Sequence, residues 1–257
     1  MVTMREAATV MLVRDDPDLE VFMLRRNLES EFVAGAYVFP GGAVDADDRD
    51  PALLARVHGR SDAGASALLE LGGGGLGFWV AAIREAFEEA GVVLARWGDD
   101  GEPVGLDDPV TAARFEEARL AIGRGERPFL DFVLSEDLLL DAGGLHLFSH
   151  WITPPGAPRR YDTWFFVTEA PEGHAYLHDD TETVESVWVR PADALERAQR
   201  GEIELIFPTM RSLATMSGYA TADAFVDAVR AATAGPQPRF VADHNGARVL
   251  LPGEEVA

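Results

Sequence analysis

The chain has 257 residues, 47% of them hydrophobic and 26% charged, which is globular usage and excludes a disordered or fibrous protein. Its 44 acidic residues face 22 basic ones, a net charge of −22, which excludes nucleic-acid binding by broad phosphate neutralisation; the basic residues are all arginine, which excludes Schiff-base chemistry and a P-loop lysine. With no cysteine there are no disulfides, thiolate nucleophiles or sulfur-ligated zinc.

The N-terminal apolar stretch, 7–13, is closed by Arg14-Asp15-Asp16, too short for a signal peptide or a membrane span, so the expectation is a soluble, cytoplasmic protein with no membrane partner. Residues 8–13 and 20–25 are β-prone and separated by Asp15-Asp16-Pro17-Asp18, the composition of a hairpin turn. A short extended piece, 36–39, runs into Pro40-Gly41-Gly42, where proline ends the strand and glycine admits close backbone approach. Residues 45–50 are acidic and turn-like, and 51–57 and 63–71 are expected as short helices before four glycines, 72–75, which read as a flexible hinge. Phe78 begins the clearest helix: Phe78, Ala82, Ile83, Ala86, Phe87 and Ala90 recur at helical spacing, and Gly91 stands where a C-terminal cap belongs. Next come a strand at 92–94, a polar loop at 99–108, and helices at 109–122 and 129–140. Strands are expected at 147–153, 163–168 and 186–189, helices at 191–200, 208–216 and 221–233, and then a short mixed tail. With no internal repeat or long linker, one α/β domain spanning 1–257 is favoured. Its insertions are 50–77 and the helical block 109–140, read as a lid or a dimer contact, and helices at 208–233 close it.

The densest chemical signal is Arg84-Glu85-Ala86-Phe87-Glu88-Glu89-Ala90-Gly91-Val92. Glu85, Glu88 and Glu89 stand at i, i+3 and i+4 and share a helical face; like charges at that spacing repel and ask for a counter-charge. Oxygen-rich sites of this type suit Mg²⁺ or Mn²⁺, and adjacent Arg84 is placed to brace one carboxylate. A solvated acidic helix face is the bland alternative. Four histidines, 146, 150, 174 and 178, show no metal-ligand spacing, and Trp79, Trp164 and Trp188 are read as core. Recognition of phosphate falls to arginines, with Arg25-Arg26 and Arg159-Arg160 as candidates.

With Gly42 before it, this string resembles the Nudix box, G-x5-E-x7-R-E-U-x-E-E-x-G-U. The second half matches throughout. In the first half Asp48 stands where the pattern has glutamate, and 84 − 48 − 1 = 35 residues replace the usual seven. The interrupted box, the Phe39-Pro40-Gly41-Gly42 sequence and the segment before it are similar to the acyl-coenzyme A diphosphatase branch of that family. The resemblance implies a Nudix-type α/β/α sandwich with a mixed sheet and helical insertions. It implies metal-dependent hydrolysis of a small-molecule nucleoside diphosphate derivative, coenzyme A or acyl-coenzyme A first, with ADP-ribose or NADH as the alternative and a non-catalytic binding module as a third reading. It also implies that Glu85, Glu88, Glu89 and the Gly41 carbonyl hold Mg²⁺ or Mn²⁺ and that Arg84 orients Glu85 or Glu89. Catalysis would fall to Arg84, with Glu85 or a carboxylate of the 179–185 loop, Glu182 foremost, as general base. A homodimer is left open.

Overall fold

The computed structural model describes residues 3–27, 35–98, 101–153, 155–177, 183–232, 239–243 and 246–250. The first two β-prone runs form the hairpin β1 (Met4–Asp15) and β2 (Leu19–Arg26), turning where Asp16 N–H donates to the Asp18 carbonyl at 3.0 Å. Ala8, Val10 and Leu12 join one core with Phe22 and Leu24, whereas Met11 and Val13 join a second with Val21 and Met23. Successive side chains enter opposite faces. Both faces are covered, which is why these strands read as continuous apolar runs.

Two short strands follow: β3 (Tyr37–Val38) pairs with β2, and β4 (Gly41–Ala43) pairs with β1. The chain then makes a 3₁₀ turn (Ala46–Arg49), α1 (Pro51–Leu54), β5 (Val57–His58) and α2 (Asp62–Leu68) before the long α3 (Leu76–Ala90). Beyond it lie β6 (Ala95–Trp97), α4 (Pro109–Gly123), α5 (Phe129–Ser135) and β7 (Leu138–Asp141). The main sheet is completed by β8 (His146–Ile152), β9 (Arg160–Glu169) and β10 (Thr183–Val189), then α6 (Pro191–Gln199), α7 (Phe207–Met216), α8 (Ala222–Ala232), β11 (Arg239–Asp243) and β12 (Gly246–Leu250).

Among the described residues the main sheet runs β10-β2-β1-β9-β8-β11-β12, with β3 added to β2 and β4 to β1. It is mixed: β1 and β9 lie parallel from Met4 opposite Arg160 to Val13 opposite Glu169, and their flanking pairs are antiparallel. α3 packs on one face and α6, α7 and α8 on the other, giving an α/β/α sandwich. The insertions build a second sheet, β5-β7-β6, continuous with the α3 core. No helix among the described residues is long and apolar enough to cross a membrane.

Four expectations change. The helix expected over 51–57 ends at Leu54, and Val57 opens β5. The helix expected over 129–140 ends at Ser135, because Asp137 takes a left-handed φ of 50° and Leu138-Leu139-Leu140 is buried as the central strand between β5 and β6. The strand expected at 92–94 is displaced to β6; Val92, Val93 and Leu94 are buried connection. The glycine run is a pinned turn instead of a hinge. Gly74 and Leu76 N–H both donate to the Asp62 carboxylate (3.1 and 3.0 Å), and Gly75 N–H donates to Ser66 Oγ (2.9 Å). The mixed tail contains the hairpin β11–β12.

Candidate metal and catalytic site

α3 is buried on almost every side. Trp79 rests on Phe166 of the sheet (centroids 4.6 Å apart) and donates its indole N–H to the Leu145 carbonyl at 3.1 Å. On the outward side Phe87 stacks on Phe132 of the inserted α5, at 4.6 Å and 5°. The insertions therefore cover a helix that would otherwise show its apolar outer face to water. Its end is fixed by Gly91 at φ 66°, whose N–H donates to the Phe87 carbonyl at 3.0 Å while Val92 N–H donates to Ala86 at 3.1 Å.

The acidic face of this helix meets the glycine turn. Glu89 Oε2 accepts the Gly41 backbone N–H at 2.8 Å. At Gly42 an added Cβ would lie 2.4 Å from Glu85 Oε1, so only glycine lets that carboxylate approach the strand. Arg84 is the hub. Its Nε and Nη2 fork onto Asp48 (2.8 and 2.9 Å), Nη1 donates to Glu85 (2.8 Å) and Glu88 (3.4 Å), and Nη2 also reaches the Ala43 carbonyl (2.9 Å). Glu85, Glu89, Arg84 and Asp48 are all buried, Asp48 to 1% exposure.

Electrostatics follow from that burial. Desolvation works against the Arg84 charge, but hydrogen bonding and charge from Asp48, Glu85 and Glu88 outweigh it and hold its pKa above the ordinary value. Desolvation raises the pKa of Glu85 and of Glu88, with Arg84 opposing and the neighbouring carboxylates reinforcing. Asp48, Glu85 and Glu88 share a single guanidinium, which leaves negative charge uncompensated in a desolvated place. That surplus, on hard oxygen donors, fits a divalent cation such as Mg²⁺ or Mn²⁺. Among the described residues no three acidic or histidine side chains already enclose a common point.

Arg84, Glu85, Glu88, Glu89 and Gly41 are thus brought together; the arginine pairs are not. Adjacent positions on a strand face opposite ways, so Arg26 shares the α3 face with Leu24 whereas Arg25 lies on the far face. There Arg25 pairs with Glu185 at 3.3 Å. Glu185 belongs to β10 and also hydrogen-bonds Tyr37, whose phenol pKa is raised by burial and then by that carboxylate. Glu182 and the rest of 179–182 lie outside the described residues, as does His178. Arg159 is exposed, and Arg160, at the start of β9, donates to the Thr153 carbonyl at 3.0 Å. His150 hydrogen-bonds Asp162 and stacks on Trp164 at 3.6 Å. Trp79 and Trp164 are core residues as expected, and Trp188 is half-buried beneath Arg14, 4.2 Å away.

Two residues escaped the sequence reading. Asp48 was visible only as a departure from a motif, and its partnership with Arg84 spans 36 positions. Arg119, on α4, donates to the Glu88 carbonyl at 3.1 Å, and nothing in the sequence separates it from the other arginines.

A family model for the NUDT19 Nudix domain matches residues 72–216, more than half of the chain. The chain is similar to the acyl-coenzyme A diphosphatase NUDT19 of Gallus gallus, 28% identical over 84% of this chain and 69% of the relative. It is 29% identical to that of Homo sapiens, over 92% of this chain and 72% of the relative. Among solved structures, a NUDIX hydrolase from Alicyclobacillus acidocaldarius superposes with a TM-score of 0.69 at 26% identity, covering 88% of this chain and 97% of that one. With the interrupted box now folded into one carboxylate cluster on an α/β/α sandwich, the chain belongs to the Nudix hydrolase family, in its NUDT19 branch.

Proposed function

We propose that this protein is a diphosphatase that hydrolyses coenzyme A or acyl-coenzyme A to 3′,5′-ADP and (acyl-)phosphopantetheine, with Mg²⁺ or Mn²⁺ as cofactor. The observation that carries the chemistry is the buried surplus of carboxylates around Arg84 at the glycine turn. The substrate class is supported by relatives named acyl-coenzyme A diphosphatase.

Glu85, Glu88, Glu89 and the Gly41 carbonyl are the groups that hold the metal. A divalent cation there neutralises diphosphate charge and lowers the pKa of a bound water. Arg84 keeps Glu85 and Glu88 oriented, its own position locked by the fork to Asp48. Gly41 N–H fixes one oxygen of Glu89. Glu85, beside the metal ligands on α3, and Glu182 are the two candidates for the general base. Arg26, Arg160, Arg159 and Arg25 remain the candidates for the phosphates, with Arg26 favoured because it shares the face of β2 that carries α3.

A product-resolved hydrolysis panel tests this reading, with Mg²⁺ and Mn²⁺ and with coenzyme A, an acyl-coenzyme A, ADP-ribose, NADH and a nucleoside triphosphate. Release of 3′,5′-ADP is the expected result. AMP from ADP-ribose or NADH with coenzyme A untouched overturns the substrate, and no product from any overturns the activity. Glu89→Gln keeps an acceptor for Gly41 N–H and removes only charge. It is expected to fold normally yet lose at least the roughly 10–100-fold that a supporting-shell change costs a metal site, and near-normal turnover would refute the assignment.

A further inference from the structure

We propose that Arg119, on the inserted helix α4, is a positioning residue for the catalytic carboxylates, holding the last turn of α3 and thereby the metal-binding geometry of Glu88 and Glu89. This rests on the metal-dependent hydrolysis proposed above. Arg119 is 4% exposed. Its Nη1 donates to the Glu88 carbonyl at 3.1 Å, while Nε and Nη2 fork onto Glu116 at 2.8 and 2.7 Å. Its stem packs where a side chain at Gly91 would begin, with Cδ at 3.7 Å.

The last carbonyls of a helix have no partner within it. Here Ala86 and Phe87 are capped by Val92 and Gly91, and Glu88 by Arg119. The same turn carries Glu88 and Glu89 at the negative end of the helix dipole, the end that repels carboxylates. The Arg119 hydrogen bond to the Glu88 carbonyl stops the turn from fraying, while Glu116 balances the guanidinium charge and fixes its orientation. Only a planar guanidinium reaches the carbonyl and both Glu116 oxygens at once; a lysine ammonium has one donor centre. α4 also touches α3 through Phe115 against Phe87, at 6.5 Å. The insertion is therefore a brace: its aromatic residues hold the helix, and Arg119 holds the turn that bears the ligands.

The test uses the 257-residue chain and its Arg119→Met, Arg119→Lys and Glu116→Gln variants. Mn²⁺ affinity is read from the resonance signal of free Mn²⁺, half-saturating Mg²⁺ and kcat from coenzyme A hydrolysis, and folding from thermal melts. Arg119→Met is expected to weaken Mn²⁺ binding and raise half-saturating Mg²⁺ by about tenfold, the scale of supporting-shell changes at metal sites, with Arg119→Lys between it and wild type. Glu116→Gln, a change at a half-exposed position, shifts both in the same direction by less. Unchanged metal affinity in folded Arg119→Met, even with a lowered melting temperature, makes Arg119 a packing residue and overturns the proposal. Should Arg119→Met not fold, unchanged affinity in Glu116→Gln overturns it equally. A wild type that binds Mn²⁺ but hydrolyses nothing in the panel refutes the function while the affinity series still decides Arg119.

Discussion

Arg84 and Asp48 form a buried fork, and Arg84 is also held by Glu85 and Glu88, so deleting the arginine strands three carboxylates whereas deleting the Asp48 charge leaves Arg84 paired. Breaking such a pair by deleting one charge costs roughly 3–5 kcal/mol. Arg84→Met is expected to lower unfolding free energy by about that amount, and Asp48→Asn by less because Glu85 and Glu88 keep Arg84 paired; urea denaturation checks both. Equal losses in the two variants would mean that Asp48 alone carries the Arg84 charge. The fork also explains the motif departure: aspartate suffices because the 3₁₀ turn presents it directly to Arg84, with Asp45 N–H at 2.8 Å donating to Oδ2, the oxygen that Arg84 Nη2 also holds. His174 offers a second residue-scale check. Burial lowers its pKa below 6.5 and a hydrogen bond to the Glu172 carbonyl opposes that shift, so the native state resists a proton that the unfolded chain accepts. Stability from this group is therefore complete above pH 6.5 and falls as pH drops through the window beneath it. His174→Phe, measured by denaturation between pH 5 and 7.5, is expected to show a shallower fall than wild type; parallel curves would remove the role.

At the scale of elements, two neighbouring glycines do different work. A Cβ at Gly41 would sit 2.5 Å from the Ala8 carbonyl oxygen and 2.7 Å from Thr9 Cα, which are backbone and cannot yield. The nearest atoms to a Cβ at Gly42 belong to the Glu85 carboxylate, the free end of a side chain. Gly41→Ala is accordingly expected to disrupt the β1–β4 pairing and lower the melting temperature strongly. Gly42→Ala is expected to melt near wild type while losing turnover, because Glu85 is displaced from Arg84. The opposite ranking would show that the turn, not the carboxylate, dictates glycine at 42. Helix α3 was legible from its periodicity and its Gly91 cap, and the three glutamates from their spacing. β7 was not: three leucines after a helical pattern fit either state, and only pairing with β5 and β6 decides for strand. The hinge reading of 72–75 failed because Asp62 and Ser66, ten or so positions earlier, supply the hydrogen bonds that pin the turn.

The whole molecule carries a net charge of −22, and self-repulsion on that scale destabilises the compact state. Surface ion pairs such as Arg14–Glu20 at 2.8 Å weaken with salt, but each contributes only about 0–1 kcal/mol. Repulsion therefore dominates the response. With chelator present, raising NaCl from 0.02 to 0.5 M is expected to raise the melting temperature, by roughly 2–4 °C for each kcal/mol recovered through screening. A falling melting temperature would put the ion pairs in control. By itself the sequence determined the α/β character, the helix that bears the three glutamates, their shared acidic face and the family resemblance, because each is written in local spacing: 3.6 residues for the helix, i, i+3 and i+4 for the carboxylates, a fixed string for the box. The tertiary structure alone decided that Asp48 locks Arg84, that Arg25 and Arg26 serve opposite faces, and that Arg119 caps the last turn of α3. Each of those depends on a strand register or a helix contact between residues far apart in the chain, and no local pattern encodes which distant backbone or charge a side chain will meet.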